Sequence, residues 1–598
     1  MTDIQGGGIR SLSALDIAAT LKLPPPTTEQ QAVIEADLSP ALVIAGAGSG
    51  KTETMASRVL WLLANRHVRA EQILGLTFTR KAAGELGERI RGRIVELAAK
   101  GLMPGGYDEF APPTVATYNS FSNRIFRDNA LLLGRESDGV VLGEASAWQL
   151  SRRVVVASRD DRLAVLGRSV DQLATDVLKL SRALTENLAD RAGVVEFAER
   201  FQSVVDLPAG GTGTYPEIDI VAGKIAALPV LVELANTYEA AKLRRGFVEY
   251  SDQVALALQL IRQNQVLAAE HREQYRVVLL DEYQDTSVVQ TWLLAELFAE
   301  HPVMAVGDPN QSIYGWRGAS ASNLTGFTHQ FAAGRAQRFS LSTSWRNGHR
   351  ILDVANAVVA PFAALPDSSV SRLAPGPAAS DFPVEVVFEQ TIEQEADAVA
   401  TWLADRIDRR KPDGSKPSAA ILFRARKTQP VFIEALRGKG VPYHVLGIGG
   451  LMTEPEVADL VSALRVAHEP QAGSELVRLL AGSRWRLGVR DLATLRGVAS
   501  WLGRRDYAQR PLDDELRAKL RESVADGDGG SIVDALDFVA TAADGHSALD
   551  GFSAAGLDRV RAAGRMFASF RERAGLDLLD FVTFVEQELQ LDIEVAAN

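Results

Sequence analysis

Apolar positions along the chain gather into short, β-branched runs at residues 41–45, 73–78, 277–280, 303–306, 384–388 and 419–423. Each run is bounded by turn-forming or helical sequence and does not alternate with polar residues, the pattern of strands covered on both faces. Helical spacing fills the intervals, so the order of elements predicts parallel α/β sheets. Residues 119–245 read differently. Leu, Ala, Val and Arg recur there at helical spacing, broken only at the turn-rich 207–216, which predicts a mostly helical insertion. A second α/β block is expected over 346–468, with Pro-, Gly-, Ser- and Asp-rich loops at 363–381 and 410–417. Beyond it the pattern is helical, apart from the turn-rich 526–531, and it ends in an amphipathic stretch at 581–591. No fixed-period repeat is visible.

Composition narrows the chemistry. The 598 residues suit roughly three or four domains of ~150 residues, and 46% hydrophobic content with 23% charged residues argues against disorder. No cysteine is present. Disulfides, cysteine-ligated metals and thiol nucleophiles are therefore excluded, and catalysis must rest on oxygen, nitrogen or metal chemistry. No run of about 18 apolar residues is found, and residues 1–10 are Gly-rich and polar. The expectation is a soluble cytoplasmic protein without a membrane partner.

The net charge of −12, from 64 basic against 76 acidic residues, argues weakly against a protein that coats nucleic acid by bulk charge, but it leaves a local basic strip open. Residues 66–93 carry Arg66, Arg69, Arg80, Lys81, Arg89, Arg91 and Arg93 against Glu71, Glu85 and Glu88. That is either an anion-facing surface or, more commonly, a solvated helix face.

Two strings carry specific chemistry. The apolar run at 41–45 leads into Gly46-Ala47-Gly48-Ser49-Gly50-Lys51-Thr52, which fits a phosphate-binding loop except that Ala45 stands at the first glycine. Glycines let backbone N–H groups turn toward phosphate oxygens, the following helix points its positive end at them, and Lys51 brings a cation. Thr52 would give a hydroxyl to Mg²⁺. The bland alternative is a Gly-rich turn without ligand. The run at 277–280 ends in Asp281 and Glu282, placed to hold a metal through water and to activate an attacking water on ATP. An acidic pair capping a strand is common in isolation; beside the loop it gains weight.

Asp281-Glu282-Tyr283-Gln284-Asp285-Thr286, followed by Val306-Gly307-Asp308-Pro309-Asn310-Gln311-Ser312-Ile313-Tyr314-Gly315-Trp316-Arg317-Gly318-Ala319, resembles motifs II and III of superfamily 1 UvrD/Rep-like DNA helicases. The resemblance extends to Thr27-Thr28-Glu29-Gln30, Leu76-Thr77-Phe78-Thr79-Arg80-Lys81, Thr117-Tyr118-Asn119-Ser120-Phe121 and Ser344-Trp345-Arg346-Asn347, and so runs from about Pro26 to Asp459. It implies an α/β P-loop NTPase fold with two RecA-like domains and inserted helical domains. By that scheme the first RecA-like domain spans 1–118 and 246–345, helical insertion 1B spans 119–245, the second RecA-like domain begins over 346–468, and a partial helical domain 2B occupies 469–598.

The resemblance further implies ATP and Mg²⁺ as cofactors. Gln30 would read the adenine, and Trp345, where the family usually has Tyr, would stack on it. Lys51, Asp281, Glu282, Gln311 and Arg346 would carry catalysis, with Gln311 linking the γ-phosphate to DNA-contacting segments and Arg346 neutralising charge during phosphoryl transfer. Thr52 and Asp281 would hold the metal. Phe78, Thr79, Arg80, Tyr118, Asn119, Ser120, Trp316 and Arg317 would face single-stranded DNA, with Tyr314 less involved. Aromatics and hydroxyls suit sequence-tolerant stacking and phosphate contact, although aromatics taken singly are more often core. Asn119 replaces the family's usual His, and Arg80 its usual Asn.

Residues 441–457, with Gly449-Gly450-Leu451 and Thr453-Glu454-Pro455-Glu456-Val457, resemble actinobacterial helicase–nuclease subunits of the AdnAB type. No string like the family's motifs V and VI is found after Asp459. The expectation is a truncated piece with an incomplete second lobe, weak or absent unwinding by itself, and a heterodimeric helicase–nuclease partner. The leading reading is a 3′-to-5′ translocase acting on single-stranded DNA in repair or recombination. The alternative is a nucleotide-gated DNA-binding or scaffold subunit.

Overall fold

The computed structural model describes residues 11–103, 106–137, 139–206, 216–315, 318–319, 322–363, 372–410, 414–446, 454–504 and 530–597. The chain divides into two compact units, Met1–Glu385 and Val386–Asn598. Most of the turns expected at 207–216 and 526–531 lies outside the described residues, as does part of the loops at 363–381 and 410–417.

The first unit is built on a six-stranded parallel sheet in the order Thr114–Thr117, Ile73–Thr77, Val277–Leu280, Val303–Gly307, Ala41–Ala45, Gln337–Leu341. Val43 lies opposite Val306 on one side and Phe339 on the other. Successive side chains face opposite ways, and both ways lead into core. Leu42, Leu74, Leu76, Val278 and Leu280 pack with side chains of the Tyr118–Asn129, Tyr250–Gln263, Val288–Phe298 and Ser322–Ala332 helices. Val43, Ala45, Ile73, Val277, Leu279 and Val306 pack with those of the Lys51–Ala64 and Arg80–Ala99 helices. Burial on both faces is why the central strands read as unbroken apolar runs.

Inserted between the strands Thr114–Thr117 and Val277–Leu280 is a helical domain with its own core, which includes Leu142, Leu150, Val154, Leu173, Val177, Leu231 and Tyr238. This core starts at Leu142 rather than at Asn119, because the Tyr118–Asn129 helix packs Tyr118, Phe121, Ile125 and Phe126 against the sheet. The chain departs through Val140–Val141 and returns through Phe247–Val248, two short strands paired side by side.

A buried charge cluster stands at that junction. Lys242 lies 2.7 Å from Asp252 and 3.1 Å from both Glu239 and Glu249. Arg182 reaches Glu249 at 2.7 Å and Glu144 at 3.0 Å, and the Tyr238 hydroxyl donates to Glu249 at 3.0 Å. Burial draws the Lys242 ammonium down, but the three carboxylates together outweigh it and its pKa is raised.

One stretch, Ile220–Arg244, is by length and composition apolar enough to cross a membrane, where the sequence pattern suggested none. Val230, Leu231, Leu234, Ala235 and Tyr238 within it are buried, so much of its apolar character is spent on the core of the inserted domain.

In the second unit the Ile392–Ile407 and Gln429–Gly438 helices pack around Ala400, Leu403 and Leu436. The helices from Pro455–His468 to Leu591–Ala597 share a core that includes Leu476, Leu480, Phe567, Phe570 and Phe581. The helical expectation for this region holds among the described residues. The strands expected at 384–388 and 419–423 do not form: neither segment is paired, and Val386, Phe388 and Leu422 are 90%, 96% and 93% exposed. An apolar run specifies a strand only where another backbone lies alongside to complete its hydrogen bonds, and no described segment does so here. The single large sheet among the described residues is that of the first unit.

Candidate active site

The strand Ala41–Ala45 ends in a turn where Gly48 (φ +74°) and Gly50 (φ +79°) take the left-handed conformation that favours glycine. Gly50 is also the N-cap of the Lys51–Ala64 helix and provides no side-chain acceptor. Other helices in this unit are closed by hydroxyls, from Thr79, Thr117 and Ser287. The Lys51 helix thus presents its first-turn N–H groups and positive dipole end without a capping side chain, the arrangement that binds phosphate.

A second segment lies directly against this turn. Ser344 Oγ donates to the Ala47 carbonyl at 2.9 Å, and Trp345 N–H donates to the Gly48 carbonyl at 2.8 Å. A Cβ on Gly48 would fall 2.7 Å from Arg346 Cβ, so only glycine fits there. Gln30 Nε2 donates to the Ser49 carbonyl at 3.3 Å, and a Cβ on Gly50 would meet Gln30 Nε2 at 2.9 Å and Trp345 Cδ1 at 3.8 Å. An amide and an indole thus flank one corner of the turn, a donor–acceptor edge beside a π-face.

Two contacts fix that corner. Glu29 accepts from Ser342 N–H at 2.8 Å and from Ser342 Oγ at 2.7 Å, joining the Thr28–Ile34 helix to the segment leading to Trp345. From the Lys51–Ala64 helix, the buried Arg58 guanidinium donates to the carbonyls of Val33, Ile34 and Ala36 at 3.0, 3.1 and 2.9 Å, and to that of Asp37 at 3.3 Å. The carbonyls of Val33 and Asp37 also accept from Ala36 N–H at 3.4 Å and Ser39 N–H at 2.9 Å, and for those of Ile34 and Ala36 Arg58 supplies the donor that a helix end lacks. Burial lowers the Arg58 pKa to about 10, so it remains charged at neutral pH.

Asp281 and Glu282 follow the strand Val277–Leu280. Glu282 sits at φ 48°, ψ 44°, left-handed for a non-glycine residue, strain typical of functional sites and worth ~1–3 kcal/mol. Its carboxylate accepts from Lys51 Nζ at 3.1 Å. Asp281 is 5% exposed, and its Oδ1 has no hydrogen-bond partner. Burial, reinforced by the neighbouring Glu282 charge and opposed by Lys51, pushes its carboxyl up to about 7. A buried, unsatisfied carboxylate oxygen near an ammonium and a threonine fits a hard divalent cation. Among the described residues no group of three or more acidic or histidine side chains could hold a metal; were Mg²⁺ bound, Asp281 and the expected Thr52 would be the residues to hold it, with phosphate oxygens as its other partners.

From Glu282 a line of hydrogen bonds leads away from the turn. Gln284 Nε2 donates to Glu282 Oε2 at 2.7 Å, and Gln284 Oε1 accepts from Asp308 N–H at 3.0 Å. Gln311 Nε2 donates to Asp308 Oδ2 at 2.7 Å, and Ser312 Oγ to the Gln284 carbonyl at 3.3 Å. The loop continues to Tyr314, whose ring lies 4.6 Å from that of Phe78 at 31°.

The residues expected to face DNA separate into groups. Phe78 is half-buried under Tyr314, and Thr79 and Arg80 are exposed, with the Thr79 hydroxyl capping the Arg80–Ala99 helix. Asn119 and Ser120 are exposed; Asn119 Oδ1 accepts from Gln290 at 2.9 Å, and Ser120 closes a capping box with Thr117. Tyr118 is a correction. It is 3% exposed, packed into the sheet core with its hydroxyl donating to the Asp281 carbonyl at 2.8 Å, so it supports the acidic strand end and offers no stacking face. Trp316 and Arg317 lie outside the described residues. Sequence reasoning missed Glu29, Arg58, Gln284 and Asp308 as site-forming residues. Glu29, Gln284 and Asp308 lie within the quoted strings, but their roles depend on contacts between segments distant in sequence.

An uncapped glycine turn at the end of a buried parallel strand, facing an acidic pair across the sheet, defines the P-loop nucleotide-binding class. The family described as the UvrD/REP helicase N-terminal domain matches residues 26–332, and the chain belongs to that family. It is 28% identical over 487 residues to ATP-dependent DNA helicase UvrD1 of Mycobacterium tuberculosis, covering 79% of this chain and 56% of that protein. It is 28% identical over 464 residues to ATP-dependent DNA helicase UvrD2 of the same organism, covering 75% and 59%. With DNA helicase II of Haemophilus influenzae it shares 25% identity over 474 residues, covering 79% and 58%. The chain thus spans between half and three-fifths of the length of these relatives.

Proposed function

We propose that this chain is an ATP-dependent motor of the UvrD type that acts on single-stranded DNA. One observation carries the reading: the hydrogen-bonded line from Lys51 through Glu282, Gln284 and Asp308 to Gln311, in a loop that sets Tyr314 against Phe78. A lysine positioned for phosphate is thereby mechanically joined to a packed aromatic pair of the kind on whose outer face a base can stack.

In this reading Lys51 and the turn's N–H groups bind the ATP phosphates, and Gln30 and Trp345 hold the adenine. Glu282 orients the attacking water and accepts its proton, while Arg346 answers charge developing on the transferred group, a contribution of ~10³–10⁵ in rate for such an arginine. Mg²⁺, when bound, neutralises phosphate charge. Departure of the γ-phosphate would change what Lys51 and Glu282 contact, and Gln284 and Gln311 would pass that change to the Phe78–Tyr314 pair.

The family resemblance supports 3′-to-5′ movement, a role in DNA repair or recombination, and residence in the cytoplasm. A second reading, a subunit of a helicase–nuclease heterodimer, is favoured by the exposure of Val386, Phe388 and Leu422, apolar surface of a kind that partner chains cover. The test of the main reading is steady-state ATP hydrolysis with and without single-stranded DNA beside Lys51→Ala, followed by unwinding of duplexes tailed at either end. Turnover stimulated by DNA and abolished in the variant supports the motor, and preference for 3′-tailed duplexes supports the polarity. Turnover indifferent to DNA sinks it.

A further inference from the structure

The inserted helical domain touches the loop that carries Tyr314, at Gly318. Gly318 is left-handed (φ +78°), and a Cβ placed on it would lie 2.9 Å from Glu186 Oε2, 3.4 Å from Glu186 Cβ and 3.5 Å from Glu186 Cδ. The three nearest atoms to that position all belong to one side chain. Glu186 is the last residue of the Val170–Glu186 helix, whose Leu173, Ala174, Val177, Leu178 and Leu184 are buried in the core of the insertion.

Both partners are held. One helical turn before Glu186, Arg182 is tied to Glu249 at 2.7 Å, and Glu249 is the N-cap of the Tyr250–Gln263 helix, which packs on the sheet. On the loop, Gly318 N–H donates to the Gly315 carbonyl at 3.1 Å and Ala319 N–H to that of Tyr314 at 3.3 Å. Ala319 also bridges Ser287, just beyond the acidic strand end. A helix end braced through Arg182 therefore bears on Gly318, which is bonded back to Gly315 beside the Tyr314–Phe78 pair and adjoins Ala319, bridged to Ser287.

We infer that Glu186 is a positioning residue through which the inserted domain sets Gly318 and Ala319, and with them the response of DNA affinity to nucleotide. The inference rests on the motor reading above and extends it by giving the insertion a part in coupling. Glu186 is given no part in binding ATP or in forming the Phe78–Tyr314 pair. Its effect is on the difference between nucleotide states, which a merely structural residue would not alter selectively.

The experiment uses the 598-residue chain and a fluorescent oligo-dT strand. DNA affinity is measured by anisotropy without nucleotide and with a non-hydrolysable ATP analogue plus Mg²⁺, in the parent and in Glu186→Ala. Allosteric coupling is commonly ~5–150-fold. The parent ratio of the two affinities is expected to shrink by about fivefold in the variant, while nucleotide-free DNA affinity and DNA-free ATP turnover stay within about twofold. Gly318→Ala supplies the second arm. Its added methyl meets Glu186 and also strains the backbone at φ +78°; the strain persists in either background, so only the part that depends on Glu186 should make the loss of coupling smaller in the Glu186→Ala background than in the parent, a non-additivity expected of touching residues. Unchanged coupling in Glu186→Ala, or strictly additive effects of the two substitutions, overturns the inference while leaving the motor reading intact. A parent chain whose DNA affinity and ATP turnover ignore each other overturns both.

Discussion

Lys51 Nζ lies 3.1 Å from Glu282 Oε2, a pairing between residues 231 positions apart that joins the phosphate-binding turn to the end of the acidic strand. The lysine is mostly buried and the glutamate about one-third exposed, so in the proposed motor ATP would draw the ammonium from one anionic partner to another. Replacing Lys51 by Ala should weaken nucleotide binding and lower turnover by about 10²–10³, the scale for losing one preorganised charge contact. Glu282→Gln keeps the shape but removes the base. It should bind a fluorescent nucleotide as well as the parent and hydrolyse ATP about 10²–10⁴ more slowly. Equal hydrolysis by Glu282→Gln would exclude Glu282 as the base.

Asp281 gives the nucleotide-free protein a distinctive pH dependence. Its carboxyl titrates at about 7 in the fold and near ~3.9 unfolded. Between those values the folded state binds the extra proton, so stability contributed by this group is present at low pH and is lost as pH rises toward 7. In chelator, the parent should lose up to about 1.4 kcal/mol per pH unit more than Asp281→Asn across that window. Parallel stability curves for the two proteins would show that Asp281 is already ionised.

Arg58 should matter more than its distance from the chemistry suggests. Arg58→Met keeps most of the volume but takes the guanidinium from four carbonyls, of which Val33 and Asp37 keep a backbone donor and Ile34 and Ala36 do not. Unsatisfied buried groups cost ~1–3 kcal/mol each at most, and a total of about 3 kcal/mol is expected once water reaches the outer carbonyls. Denaturant unfolding reads the loss, and the KM for ATP should rise with it, because the helix carrying Gln30 loses its anchor.

Trp345 offers half of its surface to solvent beside Gly50. Trp345→Ala should raise the KM for ATP about tenfold, matching ~1–3 kcal/mol for stacking a base on an aromatic ring. Trp345→Tyr should restore most of it. A KM unaffected by either change would remove Trp345 from the adenine site.

At the root of the insertion, Lys242→Met leaves Glu249 and Asp252 without their ammonium. Breaking a buried pair from one side costs about 3–5 kcal/mol. The first thermal transition should fall by roughly 10 °C, with DNA-free ATP turnover preserved below it.

What could be read from the sequence follows the geometry of the sheet. The strands ending in Ala45 and Leu280 were legible because helices cover both faces and every residue is apolar. The two sheet strands that the pattern missed, Thr114–Thr117 and Gln337–Leu341, are its two edges. Edge strands are only partly buried and mix polar with apolar residues. The opposite error, at 384–388 and 419–423, arose from apolar runs whose pairing partner is not among the described residues. Lys51, Glu282 and Gln30 stand in strings of distinctive local sequence, whereas the contacts that bring them together, Lys51 to Glu282 and Gln30 to Ser49, join distant positions that the sequence alone does not pair. Tyr118 was misread because an aromatic in a hydroxyl-rich string looks the same whether it faces a base or, as here, an aspartate carbonyl in the core. Arg58 gave no signal at all: a helix-end clamp is defined by a partner from another helix.

The side-by-side strands Val140–Val141 and Phe247–Val248 make the inserted domain a module. Seen from the sheet, the chain leaves and returns at one point, so everything between counts as a single surface loop, and loop-closure entropy grows only slowly with its length. Such a junction lets a lineage enlarge, shrink or exchange what hangs from it without re-solving the folding of the ATP site. The retained part must then carry the connections between module and motor, among them Arg182 and Tyr238 to Glu249, Lys242 to Asp252, and Glu186 against Gly318.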